Sequence, residues 1–68
     1  VRTAVADLTP REHEVLVLVG QGATNAEISA ELYIGEATVK SHLGRVLTKL
    51  GLRDRAAAIV LAHRQGLA

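Results

Sequence analysis

Two copies of the tetrad Thr-x-x-Glu, Thr9-Pro10-Arg11-Glu12 and Thr24-Asn25-Ala26-Glu27, punctuate the chain at an interval that a short helix fills. In each, the Thr side chain caps the backbone N–H three residues on, and the Glu returns to the Thr N–H. Pro10 strengthens the first start, because a first-turn proline gives up no helical hydrogen bond. Gly20 and Gly22 stop the helix that follows. The second helix runs to about Leu32, with Ile28 and Leu32 four residues apart on one face. Tyr33-Ile34-Gly35 is a three-residue break, a tight turn containing Gly. A third helix is expected over Glu36–Leu50, ended by Gly51 in the left-handed region. Asp54 caps a fourth, from Arg55 to about Gln65.

The core must suit helices too. Apolar residues make up 49% of the 68-residue chain, yet Tyr33 is its one aromatic, and Phe, Trp, Met and Cys are absent. Leu, Val, Ile and Ala must therefore fill the interior, which favours close-packed helices over a β-sandwich. The expected fold is all-α, a four-helix bundle containing a helix-turn-helix. Residues 8–66 form one domain, and residues 1–7, small and unpatterned, form a linker remnant.

The third helix separates two faces. Val39, Leu43, Val46, Leu47 and Leu50 make an apolar stripe for the core. Ala37, Ser41, Gly44, Arg45 and Thr48 occupy the other side, with Lys40 and Lys49 at its margins. A solvated helix face would avoid Gly44, which costs about 1 kcal/mol relative to Ala within a helix. Small residues edged by cations suit close approach to a grooved polyanion. Charge follows the same division: residues 40–55 carry a net +4 and the remainder −3, within a total of +1. Two helices, a tight turn and a longer amphipathic second helix make a helix-turn-helix, whose second helix enters the DNA major groove while the first crosses the backbone. Thr24 and Asn25, at the positive end of helix two, offer N–H groups to a phosphate. Lys40 is placed to donate to guanine O6 and N7.

Other chemistries lack their residues. No cysteine is present, and His13, His42 and His63 have no metal-ligand spacing; His42 lies at the core edge, while His13 and His63 are simply exposed. Neither a nucleophile–base pair nor a phosphate loop occurs, so no enzyme, cofactor or metal is expected. No segment approaches the roughly 20 apolar residues of a membrane span. The fourth helix is apolar all round from Ala56 to Ala62: Ala58, Ile59 and Ala62 face the core, leaving Ala57, Val60 and Leu61 for a dimer interface.

Leu8-Thr9-Pro10-Arg11-Glu12 with Val15-Leu16, Gly22 to Ile28, Ile34 to Leu43 and Lys49 to Arg55 together resemble the LuxR-type helix-turn-helix domain, in the form found at the C-terminus of NarL-type and FixJ-type response regulators. The resemblance spans about residues 8–62. It implies double-stranded DNA read at paired half-sites by a homodimer joined through helix four. Ala37, Lys40, Ser41 and Gly44 would face bases. Thr24, Asn25, Thr38, Arg45 and Lys49 would contact phosphates, with Arg53 and Arg55 as outer contributors. It further implies a bacterial cytoplasmic transcription regulator of a two-component system, with an upstream receiver domain and RNA polymerase as a further partner. Ala26, Glu31, Gly44 and Ser29 depart from the family pattern. Three alternatives stay open: a quorum-sensing regulator, a sigma-region-4-like domain, or a helix-turn-helix-shaped protein-interaction module.

Overall fold

The computed structural model describes residues 5–67. After a 3-10 turn over Val5–Asp7 come four helices: α1 (Pro10–Gly20), α2 (Asn25–Leu32), α3 (Glu36–Leu50) and α4 (Arg55–Arg64). Both capping boxes form in full. Thr9 Oγ1 accepts from Glu12 N at 3.1 Å and Thr9 N donates back to Glu12 Oε1 at 2.9 Å. The Thr24–Glu27 pair repeats the exchange at 3.1 and 2.7 Å. Asp54 Oδ1 accepts from Ala57 N at 2.9 Å and starts α4.

Helix α1 packs on both α3 and α4, and α2 packs mainly on α3. The core they enclose is Leu8, Val15, Leu16, Val19, Ile28, Val39, Leu43, Val46, Ala58 and Ala62. Val39, Leu43 and Val46 are the buried residues of the α3 stripe, and Leu47 and Leu50 seal its edge. On α4, Ala58 and Ala62 are buried and Ile59 packs beside them. Small side chains let α4 lie close to α1.

The N-terminal segment differs from a plain linker where it is described. Val5–Asp7 make a helical turn, and Val5 packs against the core beside Leu8. Val5 and Leu8 stand three apart, and Leu8 N donates to Val5 O at 3.0 Å, which closes the turn. Residues 1–4 of the expected linker lie outside the described residues.

The break between α2 and α3 falls at Tyr33–Gly35, as the sequence requires. Tyr33, not Gly35, takes the left-handed conformation, at φ 58°. Gly35 sits at the start of α3 with an ordinary φ of −70° and no side chain to cap it. Left-handed backbone disfavours a bulky side chain by about 1–2 kcal/mol. Tyr33 is 94% exposed, so it recovers none of that cost by packing. The geometry is held from both sides of the turn: Ile34 N donates to Ser29 O at 3.2 Å, and Ser29 Oγ donates to Ile34 O. Ser29 is thus a clasp that closes the turn.

Candidate nucleic-acid interface

The apolar stripe fixes how α3 is rotated, and so decides what it presents outward. Ala37, Thr38, Lys40, Ser41, Gly44, Arg45 and Thr48 are all exposed on the side turned away from the core. Ser41, Gly44, Arg45, Thr48 and Lys49 line a shallow open groove of about 540 Å³ along this side. Gly44 faces open space there, with nothing within 4 Å of where a Cβ would stand. At about 100° per residue, Lys40 and Arg45 stand about 140° apart, on opposite margins of the strip of small residues. Neither has a hydrogen bond or ion pair among the described residues, and the same holds for Arg53.

Lys49 is different. Its Nζ lies 2.7 Å from Glu12 Oε1, and the Glu12 side chain is 2% exposed. The same oxygen accepts from Thr9 N, so one buried carboxylate joins the start of α1 to the end of α3. Lys49, beside that carboxylate, holds the Glu12 pKa below its ordinary value of 4.5, helped by the Thr9 N–H and opposed by burial. A carboxylate with a lowered folded pKa stabilises the fold above its unfolded value, and that contribution is lost as pH falls through the folded one. We expect the stability of the chain, followed by urea unfolding at a series of pH values, to decline below about pH 4.5. In Glu12→Gln the decline should be shallower. Parallel acid limbs for the two proteins would remove Glu12 from the account.

Arg55 and Asn25 are likewise brought together, but with each other. The Arg55 guanidinium donates to Asn25 Oδ1 at 2.7 Å and to the Ala23 carbonyl, pinning the start of α2 to the start of α4. Asn25 keeps its amide N–H₂, and Thr24 keeps its hydroxyl proton after accepting from Glu27 N. The helix start thus presents outward donors beside the uncommitted N–H groups of its first turn.

The remaining expected sites lie apart from this face. On α4, Val60 is 50% exposed, while Ala57 and Leu61 are half-buried, so the apolar side expected to meet a second copy is narrower than three open residues. His63 is exposed yet not idle: its Nε2 lies 2.7 Å from the Gly20 carbonyl, which only an N–H can satisfy. His42 is half-buried at the core edge, with its Nδ1 unpartnered among the described residues. Among these residues no group of His, Cys, Asp and Glu could hold a metal ion, and no helix is long and apolar enough to cross a membrane.

Sequence reasoning gave Glu12 no role beyond its cap and Ser29 no part in the turn, and it placed Thr48 on the outward side without assigning it a contact. Thr48 joins Ser41 and Gly44 in the groove, as helical spacing requires. No comparable signal existed for Glu12, whose partner is 37 residues away.

The chain matches the family model described as bacterial regulatory proteins, luxR family, over residues 6–62. It is 50% identical over 60 residues to the transcriptional regulatory protein LiaR of Bacillus subtilis, covering 88% of this chain and 28% of that one. Against the response regulator protein VraR of Staphylococcus aureus the identity is 40% over 60 residues, 88% of this chain and 29% of that protein. It is also 44% identical over 59 residues to the spore germination protein GerE of B. subtilis, covering 87% of this chain and 80% of GerE. The chain thus spans less than a third of regulators such as LiaR and VraR, and most of GerE. With a matched segment that runs from the first helical turn through most of α4, the chain belongs to the luxR family of bacterial regulatory proteins.

Proposed function

We propose that this chain binds specific DNA sequences as the output domain of a bacterial two-component response regulator that controls transcription. The observation that carries the proposal is the outward side of α3: a strip of Ala37, Ser41, Gly44 and Thr48 with unpaired Lys40 and Arg45 on its two margins. A strip without bulk can enter the major groove closely, with Lys40 on one edge reaching a base and Arg45 on the other meeting the backbone. In this account Ala37, Lys40, Ser41 and Gly44 face base edges. Thr24, Asn25, Thr38, Arg45 and Arg53 meet phosphate. Lys49 and Arg55, tied to Glu12 and to α2, hold the helices in register and direct their remaining N–H groups at the backbone. A second copy joins through Ala57, Val60 and Leu61 of α4 on paired half-sites. The names borne by LiaR and VraR support the regulatory setting. The rest of the proposal follows from that setting: a receiver domain upstream, RNA polymerase as a partner, and the bacterial cytoplasm as the place of action.

Salt titration tests the electrostatic part. Each neutralised phosphate contributes about −0.9 to the slope of log Kobs against log salt. The unpaired cations assigned to phosphate, Arg45 and Arg53, give a slope of about −1.8 per bound domain, whereas freeing Lys49 and Arg55 as well would give about −3.6. Between 50 and 200 mM salt the expected loss of affinity is then about 12-fold per domain. A flat salt response would reject DNA as the ligand and favour the protein-interaction module. A slope near −3.6 would show that the internal pairs open on binding.

A further inference from the structure

The outer side of α1 carries apolar residues that the core covers only in part: Leu18, like Leu32 of α2, packs against the core yet stays half-exposed, and Val17 lies beside it. Glu12, Val15, Leu16 and Val19 are buried on one side, while His13, Glu14, Val17 and Leu18 turn the other way. These four meet Glu31 and Leu32, at the end of α2, in an open groove of about 240 Å³. Its floor is aliphatic (Val17, Leu18 and Leu32, all half-buried), and its rim carries the exposed carboxylates Glu14 and Glu31. Glu31 has no partner among the described residues. Glu14 meets Arg11 at 3.1 Å in a pair whose members are 53% and 42% exposed, a contact that water and salt weaken. The groove faces away from α3 in charge as well as in chemistry: one surface is cationic with a small-residue centre, the other anionic with an aliphatic one.

From this complementarity we infer that the α1–α2 groove is a docking seat for a cationic amphipathic helix of a partner protein, one that sets Leu- or Ile-type side chains on Val17, Leu18 and Leu32 and aims Lys or Arg at Glu14 and Glu31. Helix-in-groove recognition needs an apolar floor and a charged rim, and both are present. The groove is open and, at about 240 Å³, smaller than the roughly 300–1,000 Å³ of typical small-molecule pockets, which suits side chains laid across a surface. Anionic occupants, whether nucleic acid or a lipid surface, are repelled by the rim. A second copy offering α4 would make a head-to-tail contact that does not close on itself, which leads to open chains of molecules and not to a dimer. The contact is small, and binding belongs to the weak, transient class of interfaces.

The inference does not rest on the DNA proposal, and its test reads a different surface. The ¹⁵N-labelled chain is titrated with an amphipathic helical peptide of Leu and Lys, and in parallel with the same peptide bearing Glu in place of Lys. The Lys peptide is expected to move the amide resonances of His13, Val17, Leu18 and Leu32, and the Glu peptide to move none. The double variant Glu14→Gln/Glu31→Gln, altered only at exposed positions, should keep the spectrum of the folded chain and bind the Lys peptide about fivefold more weakly, as expected for two lost surface ion pairs. Equal response to both peptides, shifts confined to α3 or α4, or undiminished binding by the double variant would each overturn the inference. Groove resonances that move when the chain alone is concentrated would make a second copy the occupant and overturn it equally.

Discussion

Ile28→Ala is expected to destabilise the chain by about 2–5 kcal/mol, the usual range for truncating a large aliphatic side chain in a core. Ile28 is fully buried and is the one buried residue of α2. A domain of this length has about 3–10 kcal/mol of stability in total, so one cavity removes a large share of it. Thermal unfolding followed by far-UV circular dichroism should show the midpoint lowered by about 10–30 °C. Function should fail with it, because α2 reaches the bundle mainly through α3, and Ile28 is its anchor there. Leu32, half-buried at the far end of α2, should cost less when truncated. A change below about 1 kcal/mol in Ile28→Ala would mean that the site collapses around the cavity and that α2 is held by something other than this side chain.

That helix illustrates which parts of the structure were legible in advance. Its start was, because a capping box is written into residues three apart, and Thr24–Glu27 and Thr9–Glu12 both close as their spacing requires. Gly51 ends α3 at φ 65° and Asp54 caps α4, again through partners within a few positions. The α3 stripe was legible for a related reason: one periodicity fixes both the buried side and the exposed one. The turn before α3 was harder. The sequence marks where it falls but not which residue turns left-handed: Ser29 and Ile34 bind across the turn and set that conformation on Tyr33.

What stayed hidden has a common physical cause. Glu12 with Lys49, and Arg55 with Asn25, are contacts between residues 37 and 30 positions apart, and sequence spacing does not say which helices pack side by side. The consequence reaches the candidate site. A basic stretch looks like a uniform stock of free charge, yet of the five cations between Lys40 and Arg55, two are committed to internal partners and three are not. Counting charges from sequence therefore overstates the electrostatic pull on a polyanion. It also conceals that two of these cations are tied into the fold: Lys49 joins the end of α3 to α1 through Glu12, and Arg55 joins the start of α4 to the start of α2.

The unpaired cations on the two margins of α3 should then separate cleanly by mutation. Lys40→Ala is expected to weaken binding to the preferred duplex by about 1–3 kcal/mol, or about 5- to 150-fold, and to relax preference at one base pair. Its effect on unrelated DNA should be far smaller, because a lost base contact matters only where the right base is present. Arg45→Ala should behave in the opposite way, lowering affinity by a similar factor on every sequence and reducing the steepness of the salt dependence by about 0.9. Both residues are exposed and neither has an internal partner, so either variant should fold as the parent does. Fluorescence anisotropy with a preferred duplex, a set of single-base variants and an unrelated duplex, at two salt concentrations, distinguishes the two patterns. If Lys40→Ala lost the same factor on all sequences, it would be a second phosphate contact, and the burden of base recognition would pass to Ser41. A hydroxyl both donates and accepts, so the preference of such a domain would be broad and would rest on the shape of the DNA more than on any single base.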